Sequence, residues 1–325
     1  MYVPGSFAAA LALTILSAVA WGSWANTYKG ARDYPFPLFY WDYIAGVVLC
    51  SLAFAFTLGS NGASGEPFLA NLHEASTGNL ALAVIAGAIF NVANLLLIAA
   101  VDIAGLAIAF PIAIGIAVVE GVALSYAQQP KGNALLLAAG VGLAVAAVLF
   151  DARAYRILHG KGMAARAGIW VSVASGLLMG AFAPLVTRAM TRGHTLTPYS
   201  VAAAFSIGAM LCCFVANVYF MRRPLRGRPV TFGGLLTAGW RNHILGIFGG
   251  VVWGIGGCSN FIAAGLVGVP ISYAIGQSAP LIAAGWGVLV WREFATAPAR
   301  AWSALRWMFA LYVAAVVLIA LAYEG

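Results

Sequence analysis

The stretch Ile244–Trp291, ILGIFGGVVWGIGGCSNFIAAGLVGVPISYAIGQSAPLIAAGWGVLVW, contains no Asp, Glu, Lys or Arg. A membrane-crossing helix needs about 20 apolar residues, so this run holds two crossings, divided at Val267–Gly268. The rest of the chain shares its character. Over 325 residues, 63% are hydrophobic and 8% charged, where a soluble domain carries roughly 25% charged residues. Such a chain cannot cover a water-facing surface, and lipid is its solvent. In lipid every backbone polar group must be satisfied within the segment, so each crossing is a helix.

Working outward from this run, we read ten spans: Gly5–Asn26, Pro37–Leu58, Asn79–Val101, Ile103–Tyr126, Ala134–Phe150, Gly168–Thr187, Tyr199–Met221, Ile244–Leu266, Val269–Trp291 and Trp307–Tyr323. Asp102 alone separates spans 3 and 4, a tight helical hairpin like that at Val267–Gly268. Met1–Pro4 has no basic segment, and the first apolar run is long enough to be a span, so no cleavable leader is expected.

The net charge is +8. It does not point to nucleic acid, because the bases lie in short connections and form no amphipathic face. The odd-numbered connections hold Lys29, Arg32, Arg153, Arg156, Lys161, Arg166, Arg222, Arg223, Arg226, Arg228, Arg241, Arg292, Arg300 and Arg306. The even-numbered side holds only Lys131, Arg188 and Arg192. By the positive-inside rule the odd connections face the cytoplasm and both termini lie outside it. Cys50, Cys212, Cys213 and Cys258 fall inside apolar runs without metal-ligand spacing and read as buried free thiols. No phosphate loop, cofactor motif or metal motif is present.

Ten spans divide into two fives, and an odd-numbered repeat gives halves of opposite orientation. Residues 1–150 form the first half, 151–166 a polar, basic cytoplasmic linker, and 167–325 the second half. Trp21-Gly22-Ser23-Trp24-Ala25 aligns with Met179-Gly180-Ala181-Phe182-Ala183. At a second constant offset Gly87, Phe90, Gly105 and Phe110 align with Gly250, Trp253, Gly268 and Tyr273.

Polar residues within spans are costly to bury and are functional candidates. Four groups stand out. Trp21, Ser23, Trp24, Asn26 and Thr27 close span 1; rings with amides and hydroxyls suit a neutral polar solute, or serve as an interfacial belt. Phe39-Tyr40-Trp41-Asp42-Tyr43 opens span 2, with Tyr40 and Asp42 as ligand candidates; Asp42 also suits the positive end of its helix. Asn91 and Asn94 share a face of span 3 and are grouped with Trp253, Cys258, Ser259 and Asn260 of span 8; asparagine also joins helices to one another. Pro111 and Glu120 in span 4 are grouped with Tyr273, Gln277, Ser278 and Pro280 in span 9, as kinked helices meeting near the midplane. Glu120 is the one acid deep in a span, and its symmetric position is Ala283. An isolated carboxyl in low dielectric is a natural proton site, so Glu120 is the expected proton-coupling residue.

Three stretches, Ala20–Thr27 (AWGSWANT), Phe39–Tyr43 (FYWDY) and Asp102–Gly115 (DIAGLAIAFPIAIG), together with the inverted five-plus-five plan, resemble the drug/metabolite transporter superfamily. Within it the chain looks like bacterial relatives of ureide permeases, near the glucose/ribose permeases and rhamnose–proton symporters. The resemblance implies proton-coupled uptake of a ureide such as allantoin, a nucleobase or a sugar. It also implies an inner-membrane location and a central cavity enclosed by spans 1–4 and 6–9. The expected partners are a small solute, protons and membrane lipid. The alternative is export or exchange of amphipathic drugs or metabolites, at a larger and more apolar site. An enzyme is disfavoured because no catalytic or metal constellation shares a depth. A scaffold is disfavoured because the loops are short.

Overall fold

A computed structural model describes residues 1–62, 64–159, 166–224 and 228–324, and every regular element among them is helical. Ten helices are long and apolar enough to cross a membrane. They are span 1 (Phe7–Gly30), span 2 (Phe36–Phe56), span 3 (Thr77–Ala104), span 4 (Ile108–Gln128), span 5 (Ala134–Leu158), span 6 (Arg166–Thr191), span 7 (Pro198–Arg222), span 8 (Trp240–Val267), span 9 (Val269–Val290) and span 10 (Ala299–Tyr323).

The helices outrun the apolar sequence. Residues 151–159, read as the start of the linker, continue span 5 as helix, while 160–165 lie outside the described residues, as do Lys161 and Arg226. Span 10 begins at Ala299, ahead of Trp307. Hydropathy falls at the first charge, but a helix ends only where its hydrogen-bonding pattern stops. Charges at a span end can snorkel to the interface or face a water-filled space. Span 9 is discontinuous. One helix ends at Gly276, a second begins at Ala279 with Pro280 behind it, and Trp286–Val290 is a π-turn.

Span 1 packs on spans 8 and 9, and span 2 on span 8; span 6 packs on spans 3 and 4, and span 7 on span 3. Shifting each number by five interchanges these two sets. Spans 5 and 10 pair with each other. Lipid removes the hydrophobic drive between helices, so close backbone approach holds the bundles together. Where spans 2 and 8 cross, a Cβ on Gly250 would strike the Tyr43 carbonyl and one on Gly46 that of Ile247. Where spans 3 and 7 cross, Gly87 and Gly208 meet the carbonyls of Phe205 and Val84 in the same way.

The span 3–span 4 hairpin turns at Gly105 (φ 82°, ψ 154°) and the span 8–span 9 hairpin at Gly268 (φ 88°, ψ 152°). This backbone region is essentially restricted to glycine. Gly87/Gly250 and Gly105/Gly268 are the pairs that align in the sequence.

Candidate functional site

Between the two bundles lies a cavity of about 1180 Å³. Span 1 contributes Trp21, Trp24, Asn26 and Lys29, span 3 Phe90, Asn94 and Asp102, and span 6 Met179 and Phe182. Span 8 adds Trp253, span 9 adds Gln277, Ala283 and Trp291, and the far end of span 5 adds Asp151 and Tyr155. The aromatic floor is close-packed: Phe90 and Trp253 stand 4.7 Å apart between ring centroids, Trp21 and Trp253 5.7 Å, Phe90 and Phe182 5.7 Å. Trp21/Met179, Trp24/Phe182 and Phe90/Trp253 all reach the wall, so aligned positions of the two halves face one space.

The wall carries few polar groups. Trp21 Nε1 is buried and has no partner among the described residues. Gln277 and Asn94 are both nine-tenths buried or more and line the cavity. Asn94 is held from behind: its Nδ2 donates to Tyr40 OH (3.2 Å), which donates to Asn91 Oδ1 (2.9 Å), and Cys213 Sγ donates to the same oxygen (3.3 Å). Tyr40 and Asn91 therefore stand behind the wall and orient a residue on it.

The cavity mouth lies on the side of the odd-numbered connections. There Lys29 Nζ donates to Glu293 Oε1 at 2.6 Å, and Tyr155 OH donates to Glu293 Oε2 at 3.2 Å. Trp291 Nε1 donates to Asn26 Oδ1 at 2.6 Å, and Lys29 lies 4.9 Å from the Trp291 ring. These contacts join the end of span 1 to the end of span 9.

The other end is closed. The Tyr273 ring fills the space where Gly121 lacks a Cβ, and its hydroxyl donates to the carbonyls of Met179 (3.1 Å) and Ala117 (3.4 Å). Val269 N–H donates to Gln129 Oε1 (3.2 Å), and Lys131 Nζ donates to the Leu266 carbonyl. Burial pulls the Lys131 ammonium pKa below its ordinary value.

Four of the expected residues stand away from the wall in other surroundings, besides Tyr40 and Asn91. Asp42 is held by His243 Nδ1 (2.9 and 3.0 Å to its two oxygens) and by Tyr34 OH (2.6 Å). Burial and the neighbouring Asp42 carboxylate push the Tyr34 phenol pKa up. Asn260 joins helices, donating to Ser17 Oγ (3.2 Å) and the Ser272 carbonyl (2.8 Å). Tyr273 forms the closed end. Glu120 packs against Gly180, and its buried Oε2 has no partner among the described residues.

Sequence reasoning passed over Asp151, Tyr155 and Glu293, which it placed in connections. Phe90, Met179 and Phe182 had a signal, since each aligned with a residue that was singled out. Among the described residues no group of three or more His, Cys, Asp or Glu could hold a metal ion.

A family model described as Ureide permease matches residues 152–322, the second five spans and the helix end that precedes them. The chain belongs to the ureide permease family. Ureide permease 4 of Arabidopsis thaliana is 22% identical, the match covering 98% of this chain and 98% of that one. Ureide permease 1 of the same plant is also 22% identical with the same coverage. Both are named as permeases rather than enzymes. A crystal structure of a protein 16% identical superposes with a TM-score of 0.62, covering 96% of this chain and 99% of that one, and it shares the fold. Its ten apolar helices, together with these permease relatives, mark the chain as a multi-pass membrane protein.

Proposed function

We propose that this ureide permease family member is a secondary transporter that takes up a small neutral polar solute by alternating access, coupled to protons. The solute is a ureide such as allantoin, with a nucleobase or a sugar as the neighbouring choices. The observation that carries the reading is the cavity itself. It lies between two bundles related by a five-span shift, has aligned residues of both halves on its wall, and is open at one end and closed at the other. The halves are 1–150 and 167–325.

Flat aromatic faces at Trp21, Trp24 and Trp253 suit stacking on a planar solute. The amides of Asn94 and Gln277, the Asn26 side chain and the Trp21 N–H supply donors and acceptors for a ring carrying adjacent N–H and C=O groups. Tyr40 and Asn91 position Asn94, Asn260 holds span 9 against spans 1 and 8, Asp42 anchors the first connection, and Tyr273 closes the far end. Glu120 serves as a proton site beside that closed end. The open end faces the cytoplasm of a bacterium, across its inner membrane, with both termini outside; the basic residues of the odd connections support this orientation.

The test is uptake of radiolabelled allantoin, uracil and ribose into proteoliposomes. Gln277→Ala and Asn94→Ala are expected to raise the half-saturating concentration about tenfold, the loss of one or two hydrogen bonds to solute. Wild-type uptake of none of the three would overturn the nutrient reading. A second reading, export or exchange of amphipathic compounds, is favoured by the cavity's volume, which exceeds the roughly 300–1,000 Å³ of ordinary small-molecule sites. Thermal stabilisation by cationic dyes alone would select it. A ligand at about 100 times its Kd should stabilise by about 2.7 kcal/mol.

A further inference from the structure

The mouth of the cavity holds a carboxyl group that the transport reading leaves unused. Asp151 lies on the cavity wall, is 8% exposed, and has no hydrogen-bond partner for Oδ1 among the described residues. Opposite it on span 10, Tyr312 is fully buried, and its hydroxyl also lacks a partner among those residues. Asp151 is within electrostatic reach of both Tyr312 and Tyr155.

A carboxylate taken out of water is retained by one of three things: a paired base, a metal ion or a proton. Among the described residues no base stands within ion-pair distance of Asp151, since the ion pairs are Lys29–Glu293 and His243–Asp42. No metal-ligand cluster surrounds it, and one carboxyl with two phenols nearby falls short of the six or so oxygens a hard cation takes. The groups that face this site are Tyr312 from span 10, Glu293 from the end of span 9, Asp102 from the span 3–span 4 turn, Lys29 from span 1, and Tyr155 and Arg156 from span 5 itself. Glu293 is already committed to Lys29 and Tyr155.

We propose that Asp151 is a proton-binding site of the transport cycle, loaded when the cavity opens to the opposite face and emptied through the mouth that is open here. A proton from water that enters the cavity on that side adds to the carboxylate. The resulting O–H can donate to a tyrosine hydroxyl, and the proton returns to water as hydronium when it leaves. Through Tyr155 the site adjoins the Glu293–Lys29 pair, which joins spans 1 and 9, so its protonation state bears on the contacts that frame the mouth. This inference rests on the transporter reading but is separate from the role given to Glu120, at the other end of the molecule.

Two measurements on the purified full chain test it. In difference infrared spectra over a pH titration, needing no solute, the wild type is expected to show a protonated carboxyl band that Asp151→Asn removes. Persistence of every titrating carboxyl band in Asp151→Asn overturns the proposal. If that variant does not fold, Asp151→Glu is expected to move the midpoint of the band, and an unmoved midpoint overturns it. In proteoliposomes a pH gradient of about one unit supports about tenfold accumulation by a one-proton symporter. Asp151→Asn is expected to bring the ratio of accumulation to exchange on the same vesicles down to about one tenth of the wild-type value. Wild-type accumulation by Asp151→Asn overturns the proposal. Absence of any solute exchange by the wild type sinks the transporter reading, while the infrared result still judges Asp151.

Discussion

Gly105 and Gly268 turn two hairpins with the same backbone angles, yet their surroundings are opposite. Among the described residues a Cβ built on Gly105 meets nothing within 4 Å, whereas one on Gly268 meets Gln129 Oε1 at 3.1 Å and the Lys131 side chain at 3.1 Å. The next pair along each hairpin repeats the contrast. Tyr273 fills the gap at Gly121, while the aligned residues Phe110 and Ala284 both line the cavity. The two hairpins thus differ in packing within a single molecule: one is packed at the closed end and the other lines the open end. Under the alternating access proposed above, the two hairpins would exchange packing, with Phe110 packing on Ala284 as Tyr273 leaves Gly121.

The largest expected effect comes from breaking what the two halves share. Gly87→Leu and Gly250→Leu push side chains into backbone carbonyls at the paired crossings. Each should cost about 3 kcal/mol or more, read as loss of the monodisperse peak in size-exclusion chromatography. A folded Gly250→Leu beside an unfolded Gly87→Leu would break the equivalence of the two crossings. Next, Gly105→Ala and Gly268→Ala should each lose roughly 1–3 kcal/mol through backbone strain. Gly268→Ala should show the larger drop in thermal midpoint, because its methyl also crowds Gln129 and Lys131.

A smaller change is expected when only the closed hairpin is loosened. Gln129→Ala leaves the Val269 N–H without its side-chain acceptor, a loss of about 1 kcal/mol. It should raise maleimide labelling of a cysteine placed at the buried Ser125, one turn along span 4 from Gly121, and unchanged labelling would show that this contact does not hold the end shut. The smallest effect is expected at the open end. Lys29→Ala removes an ion pair whose partners are 47% and 29% exposed, and it should shift stability by about 0.2–1 kcal/mol. A shift larger than that for Gln129→Ala would reverse the ranking of the two ends.

The ten spans were legible because lipid permits only helices at this composition, and the bases mark one set of connections. The hairpin turns were legible at Gly105 and Gly268, where a backbone region open only to glycine leaves a trace in the sequence. What composition cannot carry is the face a residue presents. Asn91 and Asn94 lie three apart, yet one lines the cavity and the other meets Tyr40 behind it. Asp42 finds its partner His243 across 201 positions, a pairing that no local pattern encodes. Asp151 and Tyr155 sit just past the point where hydropathy falls, so they read as linker although the helix carries them to the cavity.

The most direct test of the account places a cysteine at Ala283, exposed on the cavity wall and aligned with Glu120, in a chain without its four native cysteines. Membrane vesicles of each orientation are treated with an impermeant maleimide, with and without allantoin. The account predicts modification chiefly from the face bearing the basic odd-numbered connections, slowed by allantoin. Modification only from the opposite face, or a rate that allantoin leaves unchanged, would contradict a substrate cavity open at that end.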